Sequence, residues 1–195
     1  VIIGIEGGIG TGKTLTGVTL TLKDLYDGKK VYANVKFKNI PKNLMDKITY
    51  LTKDNMAKIF DHVKKGTWDM TNSTVFIQEA HNYMDSRNSQ SQKNKILSYW
   101  ILQSRHTGRG SCDIIFDTQE LGQVDLRLRR NTDIILRPYI SKGFMEFINK
   151  KEILIPTMIT SIGQRKIRHK YTTFSFNLDV SVTREQYDTH EVVDF

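Results

Sequence analysis

The chain of 195 residues carries 29 Lys and Arg against 21 Asp and Glu, for a formal charge of +8; this length suits one domain with a small appendage and excludes the paired motor cores of a two-domain helicase. With 38% hydrophobic and 26% charged residues it can bury a core, which excludes a disordered tail, and its basic balance favours an anionic partner such as nucleic acid, nucleotide or acidic lipid. The single cysteine, Cys112, excludes an internal disulfide and a thiolate zinc site, and strand-sized apolar runs with a mean hydropathy of -0.42 lead us to expect no transmembrane helix and no signal peptide.

In chain order, Val1–Glu6 is a short apolar run that reads as a buried strand. It stops at a Gly-rich turn, Gly7–Gly12, and a helical stretch follows to about Tyr26. Asp27-Gly28 ends that helix, and Lys29–Phe37 alternates as a second strand would, so the chain opens on a βαβ pattern. Pro41–Leu51 reads as a mixed connection. Asp54–Lys65 places Met56, Ile59, Phe60 and Val63 on one helical face. Ser73–Gln78 reads as a third strand, Ser89–Gln92 as a polar loop, and Lys93–Thr107 as a long helix with Ile96, Leu97, Trp100, Ile101 and Ser104 at helical spacing. Cys112–Phe116 and Asp133–Leu136 read as two more buried strands. From Tyr139 the runs Phe144–Ile148, Glu152–Ser161 and Lys166–Val182 are β-branched and aromatic, which suggests an antiparallel addition. The expected organisation is a core over 1–138, a β-rich extension of the same domain over 139–183 and an acidic, frayed tail over 184–195.

Gly7-Gly8-Ile9-Gly10-Thr11-Gly12-Lys13-Thr14 matches G-x-x-x-x-G-K-[ST] and lies between a predicted strand and a predicted helix, the context this motif requires. Glycines let successive backbone N–H groups turn inward around a phosphate, and the helix N-terminus adds partial positive charge. Lys13 neutralises the β and γ oxygens, and the Thr14 hydroxyl is a Mg²⁺ ligand. A Lys-Thr pair at a helix start has no packing purpose, which separates this loop from an ordinary βα turn.

Val75-Phe76-Ile77-Gln78-Glu79-Ala80-His81 is an apolar strand ending in polar residues, where an NTPase presents an acidic group beside the phosphates. Gln78 stands where an Asp is usual, so it can accept a bond from a metal-bound water but brings no charge. Glu79 is the candidate for activating the attacking water. His81 reads as a helix-start or interface residue, since no second His or Cys lies at ligand spacing. Further on, Cys112–Phe116 leads into Asp117-Thr118-Gln119, and Gln119 suits either a γ-phosphate sensor or a loop cap. Arg105 and Arg109 end the long helix, and Arg127, Arg129 and Arg130 form a second cluster. Each suits either an arginine finger reaching a neighbouring subunit or a complement to a helix dipole. Arg165–Lys170 reads as a solvated hairpin.

These motifs, in this order, resemble the FtsK/HerA superfamily of DNA-translocating ATPases over about residues 1–138: the loop at 7–14, the strand-Glu-Ala-His at 75–81, Gln103-Ser104-Arg105-His106-x-Gly108-Arg109, the strand ending Thr118-Gln119, and the run from Val124 to Asp133. The chain is most similar to the small genome-packaging ATPases of internal-membrane icosahedral viruses, including archaeal turreted viruses, and next to Zot-like phage assembly proteins. The resemblance implies a RecA-like α/β fold, with a mainly parallel sheet flanked by helices. It also implies ATP and Mg²⁺ as cofactors, Gln119 as sensor, and a trans-acting arginine from Arg105, Arg109, Arg129 or Arg130. The homo-oligomeric ring, hexamer or pentamer, would pump double-stranded DNA in the cytoplasm of an infected host cell or in association with the virion. A capsid vertex or internal-membrane protein would be a further partner.

The leading expectation is therefore a DNA-packaging motor. A Zot-like assembly or secretion ATPase is the nearest alternative. Such proteins carry a membrane-spanning segment after the ATPase domain, and the 195 residues are expected to hold none. A small nucleotide kinase is the alternative from another class, though Glu79 beside the phosphate loop suits water activation better than transfer to a nucleotide acceptor. A DEAH helicase would explain Glu79-Ala80-His81 but needs a second motor domain.

Overall fold

Apolar runs of five to seven residues make the parallel strands at the centre of the structure, a computed structural model that describes residues 1–67, 69–88, 94, 97, 112–141, 153–160, 173–175, 178–179 and 183–192. The strands are β1 (Ile2–Glu6), β2 (Lys30–Ala33), β3 (Val35–Phe37), β4 (Ile48–Tyr50), β5 (Ser73–Ile77), β6 (Cys112–Thr118), β7 (Ile134–Ser141), β8 (Ile153–Thr160), β9 (Thr173–Ser175), β10 (Leu178–Asp179) and β11 (Tyr187–Val192). The described helices are α1 (Lys13–Tyr26), α2 (Lys42–Met45), α3 (Lys53–Lys64), α4 (Ala80–Tyr83) and α5 (Leu126–Arg130).

The main sheet runs β10-β8-β7-β1-β6-β5-β2-β4, with β9 also paired to β8. Every pairing from β7 across to β4 is parallel, and β8 joins β7 antiparallel over its whole length. The expected α/β fold with a mainly parallel sheet and an antiparallel addition is the observed one. Parallel strands buried on both faces read as continuous apolar runs rather than alternating ones, which is why β1, β5 and β6 were legible in the sequence. The first strand lies inside the sheet, so the loop that leaves it opens at the C-terminal edge, between the ends of neighbouring strands.

Two apolar layers sandwich the sheet. On one face Ile5, Phe76 and Ile115 meet Val18, Leu22 and Leu25 of α1. On the other, Ile2, Val75, Ile77, Ile114 and Phe116 meet Met56 and Ile59 of α3, with Met84, Leu121 and Val124. Helix α1 approaches closely because it presents Gly17 to the sheet: a Cβ there would lie 2.3 Å from a ring carbon of Phe76.

Several expected boundaries shift. The strand expected over 29–37 breaks at Asn34, where the chain leaves the main sheet after β2, and β3 pairs instead with β11. The connection expected over 41–51 contains α2 and β4, and β4 lies parallel to β2; three residues are too few to display a period. The segment expected as a frayed acidic tail, 184–195, contains β11, paired antiparallel with β3 through Tyr187 opposite Phe37 and Val192 opposite Val35. Its acidic composition hid a pairing supplied by residues about 150 positions earlier. The boundary expected at 138 falls inside β7, which pairs with β1 through 134–136 and with β8 through 134–141. The expected elements at 89–92 and 144–148 lie outside the described residues, as does the helix at 93–107 apart from Asn94 and the buried Leu97.

The Gly17 contact gives a stability prediction. Ala is the better helix former by roughly 1 kcal/mol, but its methyl would have to displace the Phe76 ring, and overpacking of this kind costs about 1–3 kcal/mol. Gly17→Ala is expected to lower the urea midpoint, and Phe76→Leu/Gly17→Ala to lose less than the sum of the two single changes.

Candidate nucleotide-binding site

The loop from Gly7 to Gly12 joins β1 to α1 and is shaped by its own side chains. Thr11 Oγ1 donates to the Gly8 carbonyl at 2.9 Å, and Lys13 Nζ folds back to the same oxygen at 2.8 Å. Gly12, at φ 87°, occupies the left-handed region that lets α1 begin there. Helix α1 has no side-chain cap at this end and no acidic residue in its first turn, so its first N–H groups and partial positive charge remain directed at the loop. Ile9 stands exposed at the loop tip.

A carboxylate that the motif reading passed over closes the site from below. Asp117 lies in β6 opposite Ile5 of β1 and is completely buried. Its Oδ2 accepts the Thr14 hydroxyl at 2.9 Å, and its Oδ1 accepts the Glu79 backbone N–H at 2.6 Å. One side chain thus ties the phosphate loop to the turn after β5. Burial pushes its carboxyl from the ordinary 3.8 up to about 6; the Glu79 N–H, the Thr14 hydroxyl and the Lys13 charge oppose that rise, and the Glu79 charge adds to it. The signal was present in the sequence: an acid inside an apolar run, two residues after Ile115 and so on the same face of the strand.

The turn after β5 holds the other expected groups. Gln78 is held by its backbone: its N–H donates to Asn34 Oδ1 at 2.7 Å, and its carbonyl accepts from Asn34 Nδ2 at 2.9 Å, extending the β2–β5 pairing with a side chain. Its own Oε1 is buried without a hydrogen-bond partner among the described residues. Glu79 sits at φ 51°, ψ 52°, an uncommon left-handed conformation for a residue with a side chain, and such strain concentrates at functional sites. Its Oε2 accepts from Asn82 Nδ2 at 2.9 Å. His81 Nδ1 lies 3.3 Å from Thr118 Oγ1, bridging α4 to the end of β6.

Gln119 follows β6 directly and is exposed. The turn behind it is fixed by Glu6, whose Oε1 accepts the Leu121 N–H at 2.9 Å while Oε2 meets Arg137 at 2.6 Å. The structure therefore gathers the loop 7–14, Gln78, Glu79 and Gln119 at the ends of adjacent strands. Arg129 and Arg130 are exposed on α5, a short helix capped by Asp125, which accepts the Arg127 N–H at 2.8 Å. Arg105 and Arg109 lie outside the described residues.

No cluster of three or more His, Cys, Asp or Glu able to hold a metal occurs among the described residues. Magnesium does not need one: it is held by a hydroxyl, one or two carboxylates and the nucleotide phosphates. The oxygen set at Thr14, the strand-end acid and the unpartnered Gln78 Oε1 fits that ion.

The profile of the family described as Zonular occludens toxin (Zot) matches residues 1–143. The chain belongs to the Zot family. No curated protein matches it. Among solved structures, the N-terminal domain of zonular occludens toxin from Neisseria meningitidis is 21% identical with a TM-score of 0.60, over 96% of this chain and 98% of that one. The DNA-packaging ATPase of Sulfolobus Turreted Icosahedral Virus is 16% identical with a TM-score of 0.51, over 76% of this chain and 80% of that one. The pCW3 conjugation coupling protein TcpA, solved with ATPγS, is 13% identical with a TM-score of 0.55, over 94% of this chain and 61% of that one. At these identities the likenesses show a shared fold. Family and fold together make this Zot-family chain a P-loop ATPase, and the resemblance drawn from the motifs to packaging ATPases and Zot-like proteins is borne out. No helix among the described residues is long and apolar enough to cross a membrane. That absence does not separate the two readings, because this chain corresponds in extent to an N-terminal domain of a zonular occludens toxin.

Asp117 sets a pH dependence in the nucleotide-free protein. Its folded carboxyl is raised to about 6, so its contribution to stability is full below about pH 4 and is lost as pH rises through 6. Thermal unfolding followed between about pH 4 and 8 is expected to show that decline in wild type, and Asp117→Asn is expected to flatten it.

Proposed function

We propose that this Zot-family chain hydrolyses ATP at the boundary between copies of itself and uses the turnover to move DNA. The observation that carries the reading is the convergence of a phosphate loop, a strained glutamate and a strand-terminal glutamine at one edge of a parallel sheet. The +8 charge supports an anionic polymer as the second partner.

In this reading the loop N–H groups and Lys13 bind the phosphates, which requires the ammonium to leave the Gly8 carbonyl that it holds here. Magnesium, when bound, supplies positive charge to the phosphate oxygens, and Thr14 with the strand-end oxygens would hold it. Glu79 accepts the proton of the attacking water, with Asn82 orienting its carboxylate. Gln119 donates to the γ-phosphate or that water. Charge developing in the transition state is met by an arginine from the next subunit, with Arg105 the first candidate, then Arg109, Arg129 and Arg130.

The family match favours an assembly or secretion motor of the Zot type. The likeness to a DNA-packaging ATPase supports a second reading, in which a ring packages a double-stranded viral genome at a capsid vertex or internal membrane in the host cytoplasm. ATPase rates with double-stranded DNA, with single-stranded DNA and with nucleoside monophosphates separate these readings from each other and from a kinase. Stimulation by double-stranded DNA supports packaging, stimulation by single strands alone removes it, and phosphoryl transfer to a monophosphate overturns the motor.

Glu79→Gln is expected to bind ATP and to lose turnover by about 10²-fold or more, the scale of a positioned general base; normal turnover would place the base elsewhere. An arginine supplied in trans is worth ~10³ in rate. Inactive Arg105→Ala subunits mixed with Lys13→Ala subunits should therefore regain activity, because an interface can form that carries neither defect. Full activity of Arg105→Ala alone, under conditions where the protein is monomeric, would remove that residue from the site.

A further inference from the structure

We propose that Asp117 is the metal-holding carboxylate of this site, transposed one strand across the sheet from the position that Gln78 occupies. The assignment rests on the ATPase reading above and names the residue that supplies negative charge to its metal subsite.

Register is the first observation. Ile77 of β5 lies opposite Phe116 of β6, and one further step along the parallel ladder sets Gln78 beside Asp117. Residues at one level of neighbouring strands point to the same face, and side chains alternate with a period of two. Phe76 and Ile115 both lie in the apolar layer under α1, so two residues further on Gln78 and Asp117 face the α1 side as well. That is the side on which Thr14 begins the helix. The Thr14 hydroxyl makes its bond to Asp117, on β6, and not to β5.

Charge is the second. A magnesium ion held by a phosphate-loop threonine takes its protein charge from a carboxylate at a neighbouring strand end, and an amide supplies only a dipole. With Gln at position 78, β5 offers none on that face. Gln78 is only 7% exposed, and its Oε1 is buried with no hydrogen-bond partner among the described residues. The neighbouring Glu79 carboxylate is turned to Asn82. Asp117 is the acid in contact with Thr14.

A purely structural role for Asp117 makes a different demand. An asparagine there could accept the Glu79 N–H on its one carbonyl oxygen and donate its amide to the Thr14 hydroxyl, which accepts as well as donates, without placing an ionisable group at full burial, where an unpaired charge is costly. A cation that arrives with the nucleotide supplies the missing compensation.

The test reads binding without turnover. ATPγS affinity is measured by calorimetry in Mg²⁺ and in EDTA for wild type, Asp117→Asn, and Asp117→Asn/Gln78→Asp. Wild type is expected to bind about 10-fold or more tightly with metal. Asp117→Asn is expected to bind alike in both conditions, and the double variant to regain the metal enhancement because the charge returns on the adjacent strand. Undiminished enhancement in Asp117→Asn, or metal-independent binding by wild type, overturns the assignment while leaving the nucleotide site standing. Wild type that binds no ATPγS in either condition overturns the ATPase reading and this assignment with it. Should Asp117→Asn fail to fold, wild type suffices. With Mn²⁺, ATPγS and carbon-13 in the aspartate carboxylates, pulsed electron–nuclear double resonance is expected to show a carboxylate coupling, and its absence overturns the proposal.

Discussion

The hydrogen bonds of the buried Asp117 carboxylate hold the site together. One oxygen takes the hydroxyl of Thr14 and the other the backbone N–H of Glu79, so the first turn of α1 and the turn after β5 are fixed to a single group on the strand between them. The joint places an ionisable acceptor deep in the sheet, where two donors and the nearby Lys13 charge partly offset the cost of burying it. Loosening it would free both the first turn of α1 and the turn that carries Glu79. The strained backbone of Glu79 is sustained at the same place. A left-handed conformation in a residue with a Cβ persists where its surroundings over-determine it, and here its N–H is bound to Asp117 and its carboxylate to Asn82.

The surrounding sheet serves this joint. Strands β1, β6 and β5 lie side by side in strict parallel register, and that brings Glu6, Asp117 and Gln78 to one edge although they are separated by as much as 111 positions in the chain. Asn34 continues the pairing past the end of β2 with its side chain, holding the backbone of Gln78 where the ladder would otherwise end. On the other side of β1, the ion pair of Glu6 with Arg137 and the bond from Leu121 to Glu6 tie the turn behind Gln119 to the strand that carries the phosphate loop. The antiparallel strands beyond β7 extend the same sheet, and β7 belongs to both parts.

Much of this was legible in the sequence because it rests on local chemistry. The phosphate loop needs glycines, a lysine and a hydroxyl at fixed spacing between a strand and a helix, and no distant residue is required to recognise it. Glu79 was legible because an acid follows an apolar strand directly. The apolar runs of β1, β5 and β6 announced a sheet buried on both faces, and the resemblance that the motif order carries to Zot-like proteins is borne out by the Zot match. Less legible were elements whose partners lie far away. β4 is three residues long and β11 is acidic, and each becomes a strand through the neighbour it pairs with.

The sequence by itself determined the phosphate loop, the candidate base and the fold class, because a phosphate-binding turn and a two-sided buried sheet each impose a residue pattern over fewer than a dozen consecutive positions. Only the tertiary structure decided which acid answers to Thr14. In the sequence Gln78 is a gap and Asp117 is one more polar residue in a strand; strand order and register are set by packing over the whole sheet, and they alone bring the end of β5 beside the stretch of β6 that carries Asp117. A charge can be moved between adjacent strands without displacing the site it serves, because neighbouring strands lie only about 4.8 Å apart.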